Sequence, residues 1–333
     1  MLMILNLHSF SGYENGSGIL QILDFFRETL CICAVDVFLI ISGYFGIKWK
    51  FKSFWNLVFQ IFFYAFGVYI VAAKLGVIEF NIQDFIMNAK ALYASWGFVT
   101  GYLLLYFYSP FLNAFSESSN SRTLLLTIII LLLSEWLVCR DHHYLNYGVM
   151  YLIGRFLHKT NAGETLSLKA GKGFFITSVL MTVIVLLLYY FTSCNSVHPM
   201  QLSVLGYNYA APLVILQSIF LFLAFYRWNF QSKFINWLSA STLSIFLIHM
   251  HPSIKEIGYY GYTESLYNLP VLEHIGKLTI LILTVFFGSI LIDKVRIFVS
   301  NAIYSLLQVV RKLMPDKLFQ ADTYIPKAIK NII

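Results

Sequence analysis

The chain has 333 residues, of which 59% are hydrophobic and only 12% are charged, with a mean hydropathy of +0.72. Soluble domains carry roughly a quarter charged residues, so this composition excludes an ordinary water-soluble fold. The 23 Lys and Arg outnumber the 16 Asp and Glu, yet no basic run alternates with exposed aromatics, and a nucleic-acid partner is excluded with it.

A bilayer span takes roughly 20 apolar residues plus a loop, which predicts an all-α polytopic transmembrane bundle of about ten spans. The first, from Met1 to about Phe10, is too short to cross alone and reads as the truncated end of a longer span. A short polar loop follows. Apolar stretches then run over about 30–47, 54–73, 94–115 and 123–139, with a shorter one over 144–158 that contains Arg155. The remaining stretches are 174–192, 209–226, 235–250 and 274–293. Beyond them, Val299 to Met314 has the pattern of an amphipathic helix lying on the inner surface, with Arg311 and Lys312 at its end. The expected division is an integral membrane domain over 1–298 and a cytoplasmic, partly amphipathic tail over 299–333. No cleavable leader, internal repeat or Gly/Ser/Pro linker is visible.

Cation placement sets the orientation. With the N-terminus inside, the inner side holds Lys48, Lys50, Lys52, Arg122, Arg155, Lys159, Arg227 and all the cations of the tail. The outer side keeps only Arg27, Lys74, Lys90, Arg140, Lys255 and Lys277. This asymmetry predicts both termini in the cytoplasm and a place in the cell (inner) membrane, against its lipids. The four cysteines form no Cys-x-x-Cys pair and read as packing residues.

A few polar residues inside apolar segments ask for a reason. His8 is an imidazole at a membrane segment, either a proton acceptor or a hydrogen-bond partner for a neighbouring helix. Asp36 lies in the second span, where an unpaired carboxylate costs several kcal/mol. It either orients His8 or forms an ion pair with a cation such as Arg155. Two residues apart, His249 and His251 do not share a helix face, so they are no metal pair, and Pro252 should stop the helix. His142 and His143 read as residues of an outer loop. Most of the 22 Tyr and 6 Trp belong to interface belts. Trp96, Tyr102, Tyr207, Asn208 and His249 are kept as candidates for an acceptor site.

Four local patterns carry a family resemblance. The first is Leu5-Asn6-Leu7-His8-Ser9, followed by Ala34-Val35-Asp36-Val37-Phe38 running on to Ser42-Gly43-Tyr44-Phe45. The second is Trp96-Gly97-Phe98-Val99-Thr100-Gly101-Tyr102, running into Tyr108-Ser109-Pro110. The third is Tyr207-Asn208-Tyr209-Ala210-Ala211-Pro212. The fourth is Leu243-Ser244-Ile245-Phe246-Leu247-Ile248-His249, with Asp293-Lys294-Val295-Arg296 closing the last span. In this order and spacing the chain resembles the acyltransferase 3 family of membrane acyltransferases.

The resemblance implies that His8 is the catalytic base, with Asp36 beside it, and that Lys48, Lys50 and Lys52 meet the phosphates of an acyl-CoA donor. Arg155 and Arg227 are alternative phosphate contacts, and a plain positive-inside cluster is the other reading of the lysines. The family carries an arginine eleven residues before its histidine, a position ahead of Met1, so a start upstream of Met1 is expected. The reaction implied is O-acylation of a glycan hydroxyl, acetyl being the expected group, with acetyl-CoA or another acyl-CoA as donor and no metal. From a different class, a transporter or flippase of a lipid-linked glycan would use His8, Asp36 and Arg155 as a proton relay. It lacks support from any repeat or from paired broken helices. A glycan polymerase fits less well, because the longest outer loop, about 251–273, is modest.

Overall fold

Where no water can satisfy amides and carbonyls, the backbone must pair with itself, and among the described residues the apolar segments are helical. The computed structural model describes residues 1–9, 18–88, 96–138, 144–195, 208–228 and 231–313. Within them α1 is Leu2–His8, α2 Gly18–Cys31, α3 Ala34–Phe45, α4 Phe51–Lys74 and α5 Ile82–Met87. Next come α6 Gly97–Ser118, α7 Ser121–Val138, α8 Tyr144–Thr160, α9 Gly163–Leu166 and α10 Ala170–Asn195. Last are α11 Pro212–Tyr226, α12 Lys233–Ser239, α13 Thr242–His249, α14 Gly261–Ser265 and α15 Val271–Leu313. No strand occurs among the described residues. The helical stretches 51–74, 163–191 and 271–306 are each long and apolar enough to cross a bilayer, and Pro212–Tyr226 is a shorter apolar helix.

Three details differ from the sequence expectation. The region ahead of the second span is not a loop for most of its length but the amphipathic helix α2, whose charged Asp24, Arg27 and Glu28 hid it from a search for apolar runs. The stretch 235–250 is two helices, α12 and α13, and α13 ends at His249, three residues before Pro252. The last helix is longer than the apolar stretch 274–293, running from Val271 past residue 298 to Leu313 without a break.

Interruptions of the helical ladder free carbonyls, and at two of them a side chain supplies the donor. Pro110 inside α6 has no N–H for the Tyr106 carbonyl, and the Ser109 hydroxyl donates to that oxygen at 2.9 Å instead. The turn Ile32–Cys33 separates α2 from α3, and the Gln217 amide of α11 donates to the Thr29 carbonyl at 2.7 Å. That amide also donates to Ser178 of α10 at 2.6 Å, while Thr29 and Thr182 share a hydroxyl contact of 2.6 Å. A buried polar seam thus joins α2, α10 and α11.

Small residues set the closest approach in the bundle. Helices α3 and α8 cross backbone to backbone at Gly43 and Gly154: a Cβ on Gly43 would collide with the Tyr151 carbonyl, and one on Gly154 with the Ile40 carbonyl. Membrane helices associate through such close contacts because lipid offers no hydrophobic drive between them. Around this crossing packs the largest core, Leu39, Ile40, Leu105, Val149, Met150, Tyr151 and Leu152, all buried. A second core places Ile4 of α1 with Ile61, Tyr64, Trp96, Phe246 and Leu247. A third seats Leu5 against Ile245, Tyr259 and Ile290. Helix α1 is therefore packed against elements far from it in sequence, α4, α13 and α15 among them.

Candidate active site

A cavity of about 610 Å³ lies beside α1. Its walls are Ile4 and His8 of α1, Val35 and Phe38 of α3, Trp96, Gly97 and Phe98 at the start of α6, and Asn146 and Tyr147 at the start of α8. Met1, Ala34, Tyr209, Thr242, Phe246, Met250 and Lys255 complete it. The wall is largely apolar and rich in aromatic rings, with the His8 imidazole, the Lys255 ammonium and the Asn146 amide among its polar groups.

His8 is the last residue of α1 and half-buried. Its Nδ1 lies 2.8 Å from Nε2 of His249, the last residue of α13, which is buried at 3% exposure. The other ring nitrogen of His249 lies 2.5 Å from the Ile245 carbonyl. His249 therefore stands behind His8 and is not itself part of the cavity wall.

The turn that carries His8 is fastened from two sides. Arg27 of α2 donates to the Asn6 carbonyl at 3.0 Å and to the Ser9 hydroxyl, and forms an ion pair with Asp24 at 2.9 Å. A guanidinium suits the C-terminal end of a helix, where carbonyls have no partner within the helix. Tyr259 donates its hydroxyl to the Leu5 carbonyl at 2.7 Å and lies on a π-helical turn over Glu256–Tyr260. Neither Arg27 nor Tyr259 stood out in the sequence. Asp24 and Arg27 at i,i+3 spacing were the available signal for the first; the second had none.

Asp36 is fully buried and accepts from the Asn146 amide at 3.0 Å. Asn146, rather than Asp36, faces the cavity. The carboxylate is thus tied to α8 and not to His8, whose Nδ1 belongs to His249. Nor does it pair with Arg155, which donates to Ser116 at 3.1 Å and to Glu117 at 3.3 Å. Asn146 was legible only as an amide in an apolar stretch.

Among the other expected site residues, Trp96 lines the cavity and donates its indole N–H to the Met250 carbonyl at 2.9 Å. Tyr102 lies behind the wall, its ring 5.2 Å from that of Phe38. Asn208 shapes the turn into α11: its side-chain oxygen accepts from the Ala210 amide at 2.9 Å. Its neighbour Tyr209 reaches the cavity. Tyr207, Cys139, His142 and His143 lie outside the described residues, as does the chain beyond Leu313. His251 is buried, with Nε2 3.1 Å from the Ala65 carbonyl.

Lys48, Lys50 and Lys52 are exposed at the opposite end of α3. From Val35 in the cavity wall to Phe45, α3 rises roughly 15 Å. The loop after it turns at Gly46, whose φ of 72° favours glycine. It is pinned by side chains of α6 and α8: Ile47 N–H donates to Tyr151 at 2.8 Å, Asn113 donates to the Ile47 carbonyl at 3.0 Å, and Lys50 N–H donates to Tyr106 at 3.2 Å. Arg155 lies against Gly46, so this end gathers Arg155 and the three lysines around one ordered loop.

No group of three His, Cys, Asp or Glu side chains gathers as a metal site among the described residues. The geometry places an imidazole on the wall of a cavity at one level of the bundle and a cationic loop at another. A family model described as an acyltransferase domain matches residues 1–294. The chain belongs to the acyltransferase 3 family and is a membrane acyltransferase. Comparison with curated proteins and with solved structures gave no match.

Proposed function

We propose that the protein moves an acyl group, acetyl in the expected case, from cytoplasmic acyl-CoA to a hydroxyl of an extracytoplasmic or lipid-linked glycan. It sits in the cell (inner) membrane with both termini cytoplasmic. The observation that carries this reading is His8: a base on the wall of a cavity large enough for a sugar ring, among aromatic faces on which such rings stack. His8 takes the proton of the acceptor hydroxyl as its oxygen attacks the thioester carbonyl. The new C–O bond forms, the C–S bond breaks, and the leaving thiolate recovers the proton from His8. The exposed Lys48, Lys50 and Lys52 supply point charges for the donor phosphates.

The test is acyl transfer from labelled acetyl-CoA to the cell's own glycan fraction by membranes containing the wild type or His8→Ala. The variant should accumulate normally and lose about 10²-fold or more of the transfer, the usual scale for a lost general base. Near-normal transfer by His8→Ala would overturn the assignment.

A further inference from the structure

We infer that His249 is a positioning residue that sets the tautomer of His8 and thereby selects Nε2 of His8 as the reacting atom. The inference rests on the acyl-transfer reading for its kinetic consequence and on hydrogen-bond geometry for its substance. A carbonyl oxygen can only accept, so at 2.5 Å from Ile245 O the Nδ1 of His249 must carry a proton. In a neutral imidazole the other nitrogen is then a bare acceptor. His249 Nε2 therefore accepts, and the 2.8 Å contact is completed by a proton on His8 Nδ1. That leaves His8 Nε2 unprotonated. Among the described residues it has no hydrogen-bond partner.

The opposite arrangement, in which His249 donates to His8, would need protons on both nitrogens of His249. That is a cation at 3% exposure with no ion pair to a carboxylate among the described residues, which burial penalises heavily. The chain Ile245 C=O, His249, His8 thus runs in one direction, from the backbone of α13 to the cavity wall. It has the logic of a catalytic triad: a group behind the base holds one ring nitrogen as a donor so that the other points its lone pair at substrate. During transfer the acceptor proton arrives on Nε2, and the transient imidazolium keeps its Nδ1–H bond to His249. No net proton is gained or lost over the cycle. The ring of Tyr259, 5.1 Å from that of His249, closes the far side and limits reorientation.

A role in tautomer choice separates from a role in folding. His249→Leu removes the acceptor for Nδ1–H, whereas His249→Gln offers a side-chain oxygen at similar reach. The experiment is ¹⁵N NMR of the full-length protein in lipid nanodiscs, labelled at histidine, with the His8 signals assigned by their loss in His8→Gln. In the wild type, His8 should show a protonated Nδ1 and a bare Nε2. His249→Leu should mix the two forms, and His249→Gln should restore the first. In the transfer assay His249→Leu should lower kcat by about 10²-fold with KM for acyl-CoA little changed, and Gln should recover part of it. A proton on Nε2 of His8 in the wild type, or an unchanged tautomer in a folded His249→Leu, would overturn the inference. If the tautomer pattern holds and no acyl transfer is found, the functional reading fails and the hydrogen-bond chain stands.

Discussion

Arg296 grips both carboxylate oxygens of Asp293 one turn away on α15, Nε to Oδ1 at 2.8 Å and Nη2 to Oδ2 at 3.0 Å. Tyr64 and Gln60 of α4 donate to the same carboxylate at 2.9 and 3.4 Å, so the pair bolts α15 to α4. Both residues are buried. Removing one partner leaves an uncompensated charge, so Arg296→Met should cost about 3–5 kcal/mol of stability. Replacing both as Asp293→Leu with Arg296→Met should cost less than the single change. Thermal unfolding in detergent compares the two variants.

The crossing of α3 and α8 has no room for a methyl group on either glycine. Gly43→Ala and Gly154→Ala should each force the helices apart and lower the amount of folded protein, by the few kcal/mol typical of overpacking. Gly67→Ala serves as the control, since a Cβ there meets nothing within 4 Å. Size-exclusion profiles of the solubilised variants give the readout.

Asp36→Asn keeps an oxygen for the Asn146 amide, so the variant should accumulate normally and retain acyl transfer within about tenfold of the wild type. Asp36→Leu removes that acceptor and should cost about 1–3 kcal/mol of stability. A loss of transfer in Asp36→Asn as deep as that of His8→Ala would mean that Asp36 acts on the chemistry itself.

Replacing Lys48, Lys50 and Lys52 together by Gln should raise the apparent KM for acyl-CoA more than it lowers kcat, because lost phosphate attraction weakens binding in ground and transition state alike. The effect should shrink at high salt, since all three lysines are exposed. An unchanged donor dependence would leave the cluster as a topology signal.

Much of the fold was legible because apolar length is a strong signal: the stretches read as spans are helical, although 235–250 is two helices and not one. The amphipathic α2 escaped for the same reason, since Asp24, Arg27 and Glu28 break its apolar run. At the site, His8 and Trp96 were both legible and both line the cavity. The proximity of His8 and His249 was not, because no local pattern reports a contact between residues 241 positions apart. The same limit applies to Asn146 and Asp36, joined across 110 positions. Sequence marks residues that are out of place in an apolar segment; which partner satisfies each is decided by tertiary packing.

The hydrogen bonds that complete the site have a temporal side. The Thr29 carbonyl finds its amide 188 positions later, His8 its partner 241 later, and the Leu5 carbonyl its hydroxyl 254 later. A growing chain delivers α1 and the Arg27 of α2 that grips its end early, and the His249 and Tyr259 partners nearly last. Until Gln217 emerges, the break between α2 and α3 must borrow water or another donor, and until α13 emerges His8 has no fixed orientation. Translation arrested before residue 249 therefore yields a bundle that carries the candidate base but cannot aim it.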